Sequence, residues 1–260
     1  MNIKEENFLN RHGLKISALV HFPEGEVKGC AFIQHGLMGS QDQPQIQTIA
    51  QALAEAGYIA VSFDSTHSFG VSDGELELCT ATTHYNDLED IVEWAKNQHW
   101  YSEPFILSGH SMGGISVLHY LTENPEKVKA IAAIATSVGG KLTAQNWPIA
   151  TGDDMEAWEK RGYLEQHCPM RGKSGKISWK LIEDSQNFEI LHKTDLIKVP
   201  VFLIVGTKDK MMPLADQKLL ADQIPEFADL HVVEGAGHFF YKKEHLALLH
   251  KYLSDWLNKI

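Results

Sequence analysis

With 43% apolar and 22% charged residues, a chain of 260 residues can bury one large core, and α/β domains often reach this length as a single unit. A formal net charge of −11 excludes a phosphate-neutralising surface, so no nucleic acid is expected as a partner. No run approaches the roughly 20 apolar residues of a membrane span, and the acid-bearing start MNIKEENFLNRHG is unlike a secretory signal.

Residues 6–11 and 14–22 read as paired short strands separated at Gly13. Residues 29–34 make an apolar strand, and Ile46, Ile49, Ala50, Leu53 and Ala54 then mark a helix over 46–56. Residues 58–63 form the next strand, and Tyr85, Leu88, Ile91, Val92 and Trp94 give 84–94 a helical face. Residues 104–107 form a strand running into Gly109–Gly114, with a helix over 115–121 that stops before Pro125. Oily strands at 128–135 and 199–205, a helix at 214–223, a strand at 230–233 and a helix at 244–257 complete the series. Strands alternating with helices of this length predict a three-layer α/β sandwich, its sheet mostly parallel and covered on both faces.

Residues 137–191 break that rhythm and hold Trp147, Trp158, Trp179 and the basic stretch RGKSGK. A structureless loop of such length is improbable in a compact domain. The segment therefore reads as an inserted, mostly helical cap over the carboxyl ends of the strands, dividing the core into residues 1–136 and 192–260. The plainer alternative is a helical excursion with no substrate role. Cys30, Cys79 and Cys168 are too few and scattered for a disulfide framework, which points to a reduced, cytoplasmic setting. A homodimer is the candidate assembly.

Gly109-His110-Ser111-Met112-Gly113 matches G-x-S-x-G between a strand and an apolar-periodic helix. A strand that turns at once into a helix strains the backbone at the nucleophile and crowds the positions two residues either side, where only glycine fits. The plainer reading, a serine that only caps a helix, lacks a reason for those glycines. Ser111 needs a base to act as a nucleophile. Asp209 lies just past the strand at 199–205, whereas Asp195 precedes it and Asp216 and Asp222 fall within the next helix. His238 follows the last strand on the loop Glu234-Gly235-Ala236-Gly237, while His231 sits in the strand and His245 in the terminal helix. One of 14 histidines means little alone, but serine, aspartate and histidine at three strand ends in this order point to acyl transfer. The negative charge of a tetrahedral intermediate would fall to backbone N–H groups of Met112, after the nucleophile, and Leu37, in the loop His35-Gly36-Leu37-Met38-Gly39.

These four stretches, 35–39, 109–114, 206–209 and 235–238, resemble the α/β-hydrolase superfamily, and most resemble small intracellular feruloyl or cinnamoyl-type esterases and serine aminopeptidase-like hydrolases. The resemblance implies Ser111 as nucleophile, His238 as base and then acid, and Asp209 as the carboxylate orienting His238. It implies a cofactor-free hydrolase of small carboxylic esters, aryl or hydroxycinnamate esters among them, so the expected partner is a small-molecule ester. The same machinery serves a monoacylglycerol lipase, a thioesterase, an aminopeptidase-like amidase or a carbon–carbon bond hydrolase. An amidase would need acids for the substrate amine, for which Asp153, Asp154 and Glu156 are candidates, while an aryl ester would use the cap's Trp and Tyr. A non-catalytic, receptor-like binding module would be expected to have lost a member of the triad.

The resemblance departs at Asp64–Gly74, which lacks the first glycine of the family's usual R-G-H-G-x-S or N-G-H-G-x-S-D-G loop and runs longer. His67 and Ser68 either line the pocket or belong to a structural turn. Gly172-Lys173-Ser174 has His167 where a phosphate-binding loop needs glycine, so it is set aside. No H-E-x-x-H or C-x-x-C spacing suggests zinc, and no G-x-G-x-x-G follows a strand, so neither metal nor dinucleotide is expected.

Overall fold

A computed structural model describes residues 2–168 and 172–260. Strands β1 (Asn2–Leu9) and β2 (Lys15–Phe22) form an antiparallel hairpin, followed by β3 (Gly29–Gln34), α1 (Pro44–Glu55), β4 (Tyr58–Asp64) and α2 (Ala81–Ala95). Next come β5 (Phe105–His110), α3 (Met112–Glu123) and β6 (Val128–Ile134). After an excursion described below, β9 (Val201–Gly206), α7 (Leu214–Gln223), β10 (Ala228–Val233) and α8 (Lys243–Leu257) finish the chain. The sheet runs β1-β2-β4-β3-β5-β6-β9-β10, antiparallel as far as the β2–β4 pair and parallel from there on. This is the three-layer sandwich the sequence predicts.

Period-two alternation explains the layers. Along β3, Cys30 and Phe32 face the core under α2, α3 and α7, while Ala31 and Ile33 face the core under α1 and α8. Phe105 and Leu107 of β5 and Val201 and Leu203 of β9 join the first core, and Ile106, Phe202 and Ile204 the second. A central parallel sheet buried on both sides must be apolar at nearly every position, which is why these strands read as unbroken oily runs. Helix starts are set locally. Pro44 lies in the first turn of α1, and Thr80 and Thr83 form a reciprocal capping box on α2.

Between β6 and β9 lie α4 (Gly140–Thr151), α5 (Met155–Arg161), β7 (Tyr163–Cys168), β8 (Lys173–Ser178) and α6 (Lys180–Ser185). The excursion leaves and rejoins the core at one place, where Gly140 N–H donates to Phe188 O (3.0 Å) and Ile190 N–H to Val138 O (3.1 Å). The expectation of a mostly helical segment needs one correction, because β7 and β8 pair as an antiparallel hairpin. Its strands alternate weakly, with Leu164 and Ile177 buried among polar neighbours, so periodicity could not reveal them. Lys173 to Lys176 of the basic stretch lie on β8, and Arg171 lies outside the described residues.

A third apolar cluster holds this segment to the sheet edge. Trp158 is fully buried, with its ring against Trp147 (5.1 Å between centroids) and edge-on to Trp179 (5.4 Å), and it donates Nε1–H to Ile177 O at 3.1 Å. Leu37, Met38, Met112 and Met211 pack against the same cluster, so it is continuous with the loops at the sheet's carboxyl edge. Emptying this position should destabilise the segment strongly. Trp158→Ala is expected to cost about 3–5 kcal/mol, seen as a clear drop in the midpoint of thermal unfolding followed by circular dichroism.

Candidate active site

Ser111 sits between β5 and α3 with φ 57° and ψ −117°, a conformation that side-chain-bearing residues rarely adopt. Close packing holds it there. A Cβ on Gly109 would lie 2.2 Å from Gly113 O, and one on Gly113 would lie 2.3 Å from Gln34 O. Ser111 N–H donates to Ile134 O (3.0 Å), and Ser111 O accepts from Ser137 N–H (3.2 Å), which anchors the turn to the end of β6.

Asp209 lies in the turn after β9, with its side chain fully shielded from solvent. Its Oδ1 accepts from the N–H groups of Met211 (3.0 Å) and Met212 (2.9 Å), leaving Oδ2 to accept from His238 Nδ1–H at 2.8 Å. Since Nδ1 donates to the carboxylate, Nε2 is the ring's acceptor, and Ser111 Oγ–H points to it across 3.0 Å. Hydroxyl, imidazole and carboxylate thus form one hydrogen-bonded row, bringing together Ser111, His238 and Asp209.

His110, which carried no role in the sequence reading, supports that row from behind. It is buried and donates Nε2–H to the His238 backbone carbonyl at 2.8 Å, with the two rings 4.8 Å apart. Its place in the G-x-S-x-G motif is visible in sequence, but the long-range tether is not. Burial, helped by the nearby His238, pushes the His110 imidazole down to about 3, so it stays neutral near pH 7.

The loop after β3 is held by two further histidines. Ser65 N–H donates to His35 Nε2 (2.9 Å), His35 Nδ1–H donates to Gly36 O (2.7 Å), and His84 Nε2–H donates to His35 O (2.8 Å). A Cβ on Gly36 would lie 2.9 Å from Ser111 Cβ, so the loop meets the elbow at backbone distance. Leu37 and Met112 both line the cavity beside Ser111 and His238. Neither N–H has a hydrogen-bond acceptor among the described residues.

The cavity over Ser111 has a volume of about 410 Å³ and mainly apolar walls, including Trp147, Leu181, Ile182, Phe188, Met211 and Phe239. Among the described residues no carboxylate lines it, while Lys208 and Lys210 do. Asp153 instead accepts from Trp147 Nε1–H (2.9 Å), Asp154 caps α5 through Ala157 N–H (3.0 Å), and Glu156 is exposed. Of the segment's three tryptophans only Trp147 reaches the cavity.

His67 and Ser68 do not line this cavity, which leaves the structural turn of the two readings. The Asp64 carboxylate organises that turn, accepting from Gln41 N–H (2.6 Å) and Val71 N–H (2.8 Å). A Cβ on Gly70 would lie 2.2 Å from Asp64 Cγ, so the loop closes around the carboxylate. Among the described residues, no group of three or more His, Cys, Asp or Glu side chains is arranged to hold a metal, and no helix is long and apolar enough to cross a membrane.

A strained serine elbow on a mostly parallel sheet, facing an imidazole and a carboxylate from later loops, defines an α/β-hydrolase. A family model described as serine aminopeptidase, S33, matches residues 25–161, and the chain belongs to that family. It is 27% identical over 262 residues to the mitochondrial palmitoyl-protein thioesterase ABHD10 of Bos taurus, covering 98% of this chain and 80% of that protein. A monoacylglycerol lipase of Mycolicibacterium smegmatis is 23% identical over 279 residues, covering 97% and 96% of the two chains. Among solved structures, Est1E from Butyrivibrio proteoclasticus with bound ferulic acid aligns over 98% of both chains at a TM-score of 0.83 and 20% identity, a likeness of fold.

Buried neutral histidines make stability depend on pH. Burial lowers His84 to about 3 and His21, in β2, to about 4, alongside His110 at about 3. Below the ordinary value of about 6.5 the unfolded chain binds protons that the folded chain refuses, so stability present above that pH is lost as pH falls. Asp87, raised by burial to about 6, and Asp216, also raised by burial, work the other way, but they stand against five histidines once the lowered His67 and His119 are counted. The unfolding midpoint should therefore drop between pH 7 and pH 5, and His21→Leu should make that slope shallower in thermal melts.

Proposed function

We propose that the protein is a carboxylic ester hydrolase that works through an acyl-enzyme on Ser111. The observation that carries this reading is the row at 3.0 Å and 2.8 Å from Ser111 through His238 to Asp209, opening on an apolar cavity. In the first half-reaction His238 Nε2 takes the proton from Ser111 Oγ as Oγ bonds to the substrate carbonyl carbon. The N–H groups of Leu37 and Met112 hold the resulting oxyanion, and Asp209 stabilises the imidazolium. The bond to the alcohol then breaks, with the alcohol oxygen taking the proton from His238. Water repeats the sequence on the acyl-enzyme and releases the acid. We assign residues 137–191 as a cap whose α4 and α6 wall the acyl site, set into a core of residues 1–136 and 192–260.

The walls favour an apolar acyl group. An aminopeptidase must hold the substrate's ammonium group, and the three acids that could do so are engaged elsewhere or exposed. Thioester cleavage is the second reading, because the same row serves a thiol leaving group and the bovine relative bears the name palmitoyl-protein thioesterase.

The test is hydrolysis of p-nitrophenyl acetate, butyrate and longer esters, together with methyl hydroxycinnamates and an acyl thioester. Wild-type protein is expected to cleave butyrate or longer chains faster than acetate. Ser111→Ala should lose roughly 10⁴-fold or more in kcat, and Asp209→Asn roughly 10³- to 10⁴-fold. Equal rates in wild type and Ser111→Ala would defeat the proposal.

A further inference from the structure

The turn that supplies Asp209 carries a lysine on each side of it. Its backbone is fixed: Thr207 N–H donates to Val233 O (3.1 Å), Lys208 N–H to Ala236 O (2.9 Å) and Asp209 N–H to Gly206 O (3.1 Å). Asp209 turns inward and is buried, whereas Lys208 and Lys210 are exposed and still line the cavity. The lysines therefore stand at the mouth. The other end is closed by Ile115, Leu181, Ile182 and Phe188, each 5% exposed or less.

Several other lysines have a partner. Lys193 pairs with Glu123 at 2.8 Å, Lys129 donates to Tyr58 Oη at 2.8 Å, and Lys173 donates to Phe69 O at 3.0 Å. Among the described residues neither Lys208 nor Lys210 has an ion pair or a side-chain hydrogen bond. Two lysines without a partner among the described residues thus line a cavity without a carboxylate, in a chain whose net charge is −11. Such a chain repels anions at long range, so cations confined to the mouth act locally on whatever part of the substrate rests there.

We propose that Lys208 and Lys210 select esters or thioesters whose leaving group carries an anion, a carboxylate or a phosphate, while the acyl group fills the apolar end. This rests on the acyl-transfer reading above and names the substrate class of the same site. The step balances as before: Ser111 Oγ bonds to the acyl carbon, the bond to the anionic alcohol or thiol breaks, and the leaving atom takes the proton held by His238. Departure of that group uncovers the mouth for water. Lys208 and Lys210 touch the leaving group without exchanging a proton.

The experiment compares three butyrate esters with different para substituents on the leaving phenol, those of 4-hydroxybenzamide, 4-hydroxybenzoate and 4-hydroxyphenyl phosphate, each rate divided by that of its uncatalysed hydrolysis. At low salt, kcat/KM for an anionic ester is expected to exceed that for the neutral amide by about tenfold, falling toward parity in about 0.5 M NaCl. The same ratio should collapse in K208Q/K210Q and persist in K208R/K210R. Preference for one anionic ester over the other tells carboxylate from phosphate. A wild-type ratio near one at low salt, or a ratio that survives K208Q/K210Q, overturns the proposal; the salt series decides it even if that variant fails to fold. Failure of wild type to cleave any of the three, or cleavage that persists in Ser111→Ala, would instead count against acyl transfer itself.

Discussion

Ser111 keeps its strained backbone because the chain around it approaches more closely than any Cβ would permit. Gly109 lies against Gly113 O, Gly113 against Gln34 O, and Gly36 against Ser111 Cβ. Three separate strand ends, those of β3, β5 and β6, converge on the elbow at close range. A main-chain strain of about 1–3 kcal/mol persists only where the surroundings over-determine it. Here those surroundings also set where the hydroxyl points and which N–H groups lie beside it. The strain and the chemistry have one cause.

The loops that complete the site are fastened in the same way, by buried polar contacts. His238 is held at its ring by Asp209 and at its carbonyl by His110, and the Leu37 loop is braced by His35 and His84. His110, His35 and His84 serve through fixed hydrogen bonds in a dry region. That dryness lowers the affinity of His84 and His110 for protons and ties the integrity of the site to pH. Above the row, the tryptophan cluster of Trp147, Trp158 and Trp179 joins the cavity roof to the Leu37 and Met112 loops. The cavity wall and these two loops share one apolar cluster.

Much of this was legible from the chain. Oily runs at β3, β5, β6 and β9 follow directly from burial on two faces, and 29–34 and 214–223 were bounded as observed. Ser111, Asp209 and His238 could be chosen because each follows a strand, the place where parallel sheets collect side chains. The β7–β8 hairpin was not legible, since a half-exposed pair has no oily face to betray it. His110 and the lysines beside Asp209 were visible as letters but not as contacts. Their partners are a carbonyl 128 residues away and a cavity lined by residues from Gly36 to Phe239, which no local pattern encodes. Asp64 lies between these cases. The unusual length of its loop was evident, but its use as an anchor for Gln41 and Val71 required the fold.

The central claim is that Ser111 carries the acyl group between the two half-reactions. Rapid acid quenching during turnover of a slowly deacylating ester, followed by mass spectrometry of the peptide that spans the elbow, measures this directly. The account predicts a mass increase equal to the acyl group, localised to Ser111 and absent when the protein is quenched without substrate. Turnover with that peptide unmodified and the acyl mass on another residue would contradict it.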